Sequence, residues 1–234
     1  MSFYTGLSIF STDIITTQKK HSSAEARRIL ALLNGYQAEE TDFFTEIATE
    51  TSGRPFFLKK EADFSISHCS YNLKSITAVS FAEGGDYRTG CDIERVRPRN
   101  GAEEIAHEFY SAYEKEYIYS AEIFDIKKFY EIWTLKECYI KLKGLSVFDM
   151  ARIPSFISQS IKFEFNGISA LPLSFFLYEL TDDSNPVCTD EHYIMAAAIE
   201  GARNAAARPP EIIWFSQSSL VCKIKSEIHS LSRA

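Results

Sequence analysis

Two short segments, far apart in the chain, carry residues that could bind a metal ion and a phosphate together. In the first, Asp92 and Glu94 are two residues apart, so a β-strand would direct both from one face. In the second, Glu137 and Lys141 are four residues apart, so they would be neighbours on a helix. Three carboxylates and one ammonium on two rigid elements are groups that can hold a hard divalent cation beside a phosphate.

Each pair also has an ordinary interpretation. Asp92 and Glu94 could be the solvated face of an edge strand, and Glu137 and Lys141 could be an exposed helical ion pair worth about 0.3–0.5 kcal/mol. Gly90, on the same face as the first pair, favours a functional role because its missing side chain would let a phosphate approach the backbone. Two adjacent carboxylates also repel each other, a cost that a bound cation removes.

The elements that must position these residues follow from hydrophobic periodicity. A helix is predicted from Asp125 to Lys143, because its apolar residues gather on one arc at about 100° per residue. A hairpin is predicted from Ser75–Ala82 and Tyr87–Glu94, and the charged segment Arg97–Gly101 is the best boundary. The order strand, helix, strands, helices, strands predicts an α+β chain with two similar-sized halves, 1–98 and 99–234.

Composition limits the class of protein. With 234 residues, 45% of them hydrophobic, the chain can bury a substantial core, and its net charge of −7 argues against a general nucleic-acid binder. No apolar run reaches membrane-spanning length, and the N-terminus has no signal-peptide pattern. The five cysteines are odd in number and scattered, which suits a reducing compartment. We therefore expect a cytoplasmic protein that binds neither nucleic acid nor membrane.

Four segments resemble, in order and spacing, the motifs of the 4′-phosphopantetheinyl transferases of the larger, surfactin-synthetase-activating (Sfp-like) type. These segments are Gly53–Pro55, Phe64–Cys69, Gly90–Glu94 and Trp133–Lys141. They extend over about residues 53–141, the chain length fits the family, and the last two segments are highly specific as a pair.

The resemblance implies a holo-[carrier protein] synthase. Such an enzyme moves the 4′-phosphopantetheine arm of coenzyme A onto a serine of an apo acyl or peptidyl carrier protein and releases 3′,5′-ADP. The implied fold is a pseudo-dimer of two similar α/β halves with the active site between them. We expect this chain to act as a monomer.

The resemblance also assigns roles to the acidic residues and the lysine. Asp92, Glu94 and Glu137 would hold Mg²⁺ against the pyrophosphate of coenzyme A. Lys141 would contact the phosphates and stabilise or protonate the leaving group, so that Asp92, Glu137 and Lys141 form the catalytic set. Glu137 or a metal-bound water could accept the serine proton, and the sequence leaves both open.

The remaining residues implied by the resemblance would bind coenzyme A. Arg28 would contact the 3′-phosphate, Arg54 would lie near the adenine and 3′-phosphate, and Ser67 and His68 would contact the nucleotide phosphates. Ser65 stands where the family usually has Asn. Basic residues that often precede the first helix are only loosely matched, by Lys19 and Lys20, and a basic patch for an acidic carrier protein could include Arg95, Arg97, Lys127 and Lys128.

Two other functions use the same residues. A Mg²⁺-dependent phosphohydrolase would act on nucleotides with no carrier protein present. A non-catalytic module would bind coenzyme A or dock a carrier protein with a decayed metal site. The intact Asp92, Glu94, Glu137 and Lys141 speak against such decay.

Overall fold

The computed structural model describes most of the chain. The described residues are 3–11, 18–36, 47–71, 74–119, 122–159, 162–167, 169, 171–182, 192–201, 208–214 and 220–229. Within them the protein has two four-stranded sheets, two two-stranded sheets and four α-helices, so the predicted α+β class is confirmed.

The elements have the following bounds. The helices are α1 (Gln18–Leu33), α2 (Ala102–Phe109), α3 (Ala112–Ile118) and α4 (Ile126–Lys143), and a 3-10 helix covers Val147–Arg152. The strands are β1 (Phe3–Ser11), β2 (Ile47–Thr49), β3 (Pro55–Phe57), β4 (Ala62–Tyr71), β5 (Lys74–Glu83), β6 (Tyr87–Arg95), β7 (Ser155–Gln159), β8 (Lys162–Asn166), β9 (Leu173–Asp182), β10 (His192–Gly201), β11 (Glu211–Trp214) and β12 (Leu220–His229).

The two large sheets pack against each other, and each carries a helix on its outer face. The first sheet has the order β11-β1-β5-β4 and the second β12-β9-β10-β6. In β10, Met195 and Ala197 lie in the core between the sheets, whereas Ile194 and Ala196 lie in the core under α4. Since neighbouring strand residues point to opposite faces, one apolar strand supplies both cores.

The predicted hairpin between β5 and β6 is wrong. β5 pairs with β1 and β4 in the first sheet, while β6 pairs antiparallel with β10 in the second. The chain therefore crosses from one sheet to the other through residues 84–86. Alternation and a Gly-Gly turn predict two strands joined by a short connection, but they do not determine which partner each strand's N–H groups will find.

The sheets also exchange strands across the predicted boundary. β6 precedes residue 98 yet belongs to the second sheet, and β11 follows it yet pairs parallel with β1 in the first. The division into halves 1–98 and 99–234 stays a prediction, and such halves would share strands in both directions.

Helix α4 agrees closely with its predicted range. Asp125 caps its first turn by accepting from the N–H groups of Lys127 and Lys128, and Gly144 ends it with a φ of 66°. The helix is buried on most of its circumference, including two charged residues. Lys136 pairs with Glu114 of α3 at 3.1 Å, and Glu131 accepts a hydrogen bond from Tyr117. In the described ranges no helix is long and apolar enough to cross a membrane.

Candidate active site

The two segments singled out in the sequence meet where β6 packs against α4. The ammonium of Lys141 lies 2.7 Å from Asp92 Oδ1, although the residues are separated by 49 positions. Asp92 is only 4% exposed, so this ion pair has little solvent screening. The predicted neighbourhood of Asp92 and Lys141 is therefore present, whereas the catalytic roles of these residues stay predictions.

Ser67 of β4 joins this ion pair. Its hydroxyl donates to Asp92 Oδ1 at 2.8 Å and accepts from Lys141 Nζ at 2.9 Å. It also accepts from the backbone N–H of Ile93 at 3.3 Å. The three side chains come from β4, β6 and α4, so the site lies at the junction between the two large sheets.

Glu94 and Glu137 complete the acidic group. Burial, followed by repulsion from Asp92, raises the pKa of Glu94 to about 7. The same two causes, in the same order, raise the pKa of Glu137. Burial opposes the charge of Lys141, but the Asp92 carboxylate outweighs burial and raises the pKa of this ammonium above its ordinary value. The site thus holds a stable cation beside two carboxylates that take up protons readily.

The carboxylates of this site have some of the properties expected of a cation-binding site. Asp92 Oδ2 is buried and has no hydrogen-bond partner, and both Glu94 and Glu137 are influenced by the Asp92 charge. A divalent cation would supply the missing partner and remove the repulsion. Within the described residues, however, no three His, Cys, Asp or Glu side chains already stand together as metal ligands. The acidic trio as a ligand set for Mg²⁺ stays a prediction.

Gly90 serves a different purpose from the one expected. A Cβ built on this residue would lie 2.4 Å from the carbonyl oxygen of Cys138 and 2.9 Å from the Cβ of Leu142. The space beside Gly90 is therefore filled by α4, and no phosphate can approach the backbone there. The glycine lets the helix pack closely on β6, which brings Lys141 to Asp92.

Arg54 is buried at the same junction. Its guanidinium donates to the carboxylate of Asp63 and to the carbonyl oxygens of Thr89 and Lys141, thereby linking the β3–β4 region to β6 and α4. Its Nη1 is buried without a hydrogen-bond partner. Arg54 also lines a cavity of about 240 Å³ together with Lys141, Ser65 and Leu145. It therefore holds the fold together and borders the site.

A second cavity, of about 360 Å³, adjoins the first. Pro55, Phe64 and Ile66 line both cavities, and the second is completed on one side by Arg27 and His68. We call the two cavities together the β3–β4 groove. Lys141 borders one end of the groove, and Arg27 and His68 border the other, which suits a ligand with anionic groups and an apolar or aromatic part.

The predicted coenzyme A-binding residues do not all reach this groove. His68 is exposed and lines it, whereas Ser67, its neighbour on the strand, is buried on the opposite side. Arg28 forms an ion pair with Glu25 at 2.6 Å and does not line the groove. The adjacent Arg27 does line it.

Arg27 could have been found from periodicity. Ser23, Ala26, Arg27 and Leu30 follow helical spacing, and all four line the groove. The motif match indicates the adjacent Arg28 instead.

The residues suggested for a carrier-binding patch lie in different settings. Arg95 stacks on Tyr71 at 3.7 Å, and Arg97 lies 5.9 Å from the same ring. Lys127 is engaged by Glu179 at 2.6 Å, and Lys128 lies over Tyr117. The side chains of Lys19 and Lys20 lie outside the described part of the structure.

Comparisons with known proteins relate this chain to one superfamily. Residues 88–198 match the model of the 4′-phosphopantetheinyl transferase superfamily, and this stretch includes Asp92, Glu94, Glu137 and Lys141. The chain is 27% identical over 212 residues to "4′-phosphopantetheinyl transferase pptA" of Paxillus involutus, an alignment that covers 83% of this chain and 74% of that protein. It is also 27% identical over 136 residues to a protein of Haemophilus influenzae named "Putative 4′-phosphopantetheinyl transferase", covering 57% of this chain and 55% of that protein. These similarities support a transferase function.

Proposed function

We propose that this protein is a 4′-phosphopantetheinyl transferase of the larger, pseudo-dimeric type. It would transfer the 4′-phosphopantetheine group of coenzyme A to a serine of an apo acyl or peptidyl carrier protein and release 3′,5′-ADP. The observation that carries the proposal is the contact of Lys141 with Asp92, inside the segment that matches the superfamily. A cytoplasmic location and a monomeric state stay predictions.

The β3–β4 groove is the proposed binding site of coenzyme A. The end with Arg27 and His68 would receive the 3′-phosphate of the nucleotide, since guanidinium and imidazolium groups bind phosphate by charge-assisted hydrogen bonds. The apolar middle, with Pro55, Phe64 and Ile66, would contact the adenosine. The diphosphate would then lie toward Lys141.

Asp92, Glu94 and Glu137 are the residues proposed to hold Mg²⁺. Bound there, the ion would neutralise charge on the diphosphate of coenzyme A. The raised pKa values of Glu94 and Glu137 support this proposal, because burial and, after it, repulsion from Asp92 disfavour the charge of both carboxylates, and a bound cation would offset both effects.

The side chains would then divide the transfer between them. The serine oxygen of the carrier protein attacks the β-phosphorus of coenzyme A, and the bond from that phosphorus to the bridging oxygen breaks. Lys141 is cationic throughout, since its pKa is raised, and stabilises the negative charge that develops on the departing 3′,5′-ADP. Glu137 is the side chain proposed to accept the serine proton.

Mass spectrometry of apo carrier proteins tests this proposal. Incubation with the protein, coenzyme A and Mg²⁺ should add one phosphopantetheine group to a serine. Asp92→Ala and Glu137→Ala should abolish this gain, while Glu116→Ala, which removes an exposed carboxylate of α3, should keep it. A folded Asp92→Ala variant with full activity would refute the metal assignment.

The same experiment separates the two alternatives. Release of phosphate from nucleotides without a carrier protein would indicate a phosphohydrolase. Binding of coenzyme A with no turnover on any apo carrier would indicate a binding or docking module.

A further inference from the structure

The two large sheets are joined by a row of side-chain hydrogen bonds between β4 and β6. Each strand is the outer strand of its own sheet, and they are not paired with each other. Instead, three N–H groups of β6 donate to side chains of β4: Thr89 to Asp63 Oδ2 at 2.7 Å, Cys91 to Ser65 Oγ at 3.1 Å, and Ile93 to Ser67 Oγ at 3.3 Å. We call this row the β4–β6 seam.

The seam satisfies groups that a sheet edge leaves open. In an antiparallel pair, alternate residues exchange hydrogen bonds with the partner strand, so every second N–H of an outer strand points away from it. β6 pairs with β10 on one side and would otherwise bury its other N–H groups unpaired. Each donor lies 26 positions after its acceptor, so the seam also sets the register of β6 against β4.

The third hydrogen bond of the seam differs from the other two because it reaches the candidate active site. A serine hydroxyl has one hydrogen to donate and two lone pairs to accept with. Ser67 donates to Asp92 Oδ1 and accepts from Lys141 and from the Ile93 N–H, so its hydrogen-bonding capacity is filled by the protein. With 4% exposure it is also poorly placed to contact a ligand phosphate.

We propose that Ser67 is a positioning residue for the proposed transfer reaction. Its hydroxyl ties Asp92 and Lys141 to the β4–β6 seam, so the register between the sheets determines where both groups stand. Asp92 Oδ1 is held by this contact, and the buried Oδ2 is left for the ligand or its cation. The proposal rests on the proposed function for its reaction, but the seam can be tested without it.

Amide hydrogen exchange gives the first test. Ser67→Ala should accelerate exchange of the Ile93 amide at least about tenfold, while the Thr89 amide, held by Asp63, should keep its wild-type rate. Ser67→Thr, which keeps the hydroxyl, should restore slow exchange at Ile93. Ser174→Ala removes a buried serine hydroxyl of β9 outside the site and serves as the matched control, with Ile93 exchange as in the wild type.

Kinetics with coenzyme A and an apo carrier protein give the second test. Ser67→Ala should lower kcat at least about tenfold and change the KM for coenzyme A less than about threefold, and Ser67→Thr should recover most of kcat. A raised KM with unchanged kcat and unchanged Ile93 exchange would overturn the proposal in favour of a phosphate-contacting serine. If the wild type transfers nothing, the proposed function fails. Independently of that result, unchanged exchange of the Ile93 amide in Ser67→Ala would refute the role of Ser67 in the β4–β6 seam.

Discussion

Replacing Gly90 by alanine should separate α4 from β6 and thereby disable the site. The new Cβ would lie 2.4 Å from the carbonyl oxygen of Cys138, whereas ordinary contact begins at 3.4 Å, so the helix backbone would have to recede by about 1 Å. Backbone atoms of a buried helix cannot rotate away as a side chain can. The contact of 2.7 Å between Lys141 and Asp92 would then open beyond hydrogen-bond distance.

Two effects of Gly90→Ala can be given a size. Overpacking of this kind costs about 1–3 kcal/mol, and in a chain of this length each kcal/mol lowers Tm by about 2–4 °C. A displacement of about 1 Å at reacting groups can cost about 100-fold in rate, so kcat for carrier modification should fall by about that factor. Thermal unfolding followed by circular dichroism, together with the carrier-modification assay, measures both.

Gly85→Ala is the matched control for this change. A Cβ on Gly85 would have no atom nearer than 3.7 Å, and Gly85 lies on the connection that leads into β6. This variant should stay within about 1 kcal/mol of the wild type and retain its activity. If Gly90→Ala shows the same Tm and kcat as Gly85→Ala, the close packing of α4 on β6 does not position Lys141.

Three further predictions concern other charged residues. The pKa of Glu94 is raised to about 7 from its ordinary value of 4.5, so the folded protein binds this proton more tightly than the unfolded chain does. Without added metal, the free energy of unfolding should therefore decrease as the pH rises from about 4.5 through about 7. Urea unfolding across this range should show the decrease in the wild type and less of it in Glu94→Gln; equal slopes would contradict the assignment. Lys136→Met should destabilise the protein by about 3–5 kcal/mol because it leaves the buried Glu114 carboxylate without its cationic partner. Adding Glu114→Gln should recover part of this loss in denaturant unfolding. In calorimetry, Arg27→Ala should weaken coenzyme A binding by about 10- to 100-fold, and Arg28→Ala should weaken it much less. The two variants should bind 3′-dephospho-coenzyme A with equal affinity.

Sequence reasoning succeeded where the signal was local. The period of a strand placed Asp92 and Gly90 on one face of β6, and the structure has both residues against α4. Helical periodicity, with Asp125 at the start and Gly144 at the end, gave the bounds of α4 to within one residue. The paired motifs then indicated that these two elements meet, and Lys141 does contact Asp92.

The remaining features depend on partners that no local pattern specifies. Whether β6 pairs with β5 or with β10 is decided by the packing of whole sheets, since both pairings satisfy the same alternation. The use of Gly90 as a packing surface became evident only with α4 in place. Two other features likewise depend on the positions of distant side chains. The hydrogen-bonding groups of Ser67 are all used by the protein, and Arg27 lines the groove in place of Arg28. Periodicity indicates which face of an element a residue occupies. Only the tertiary fold brings up the opposing atoms, and these decide whether the residue binds a ligand, packs against a helix or positions another side chain.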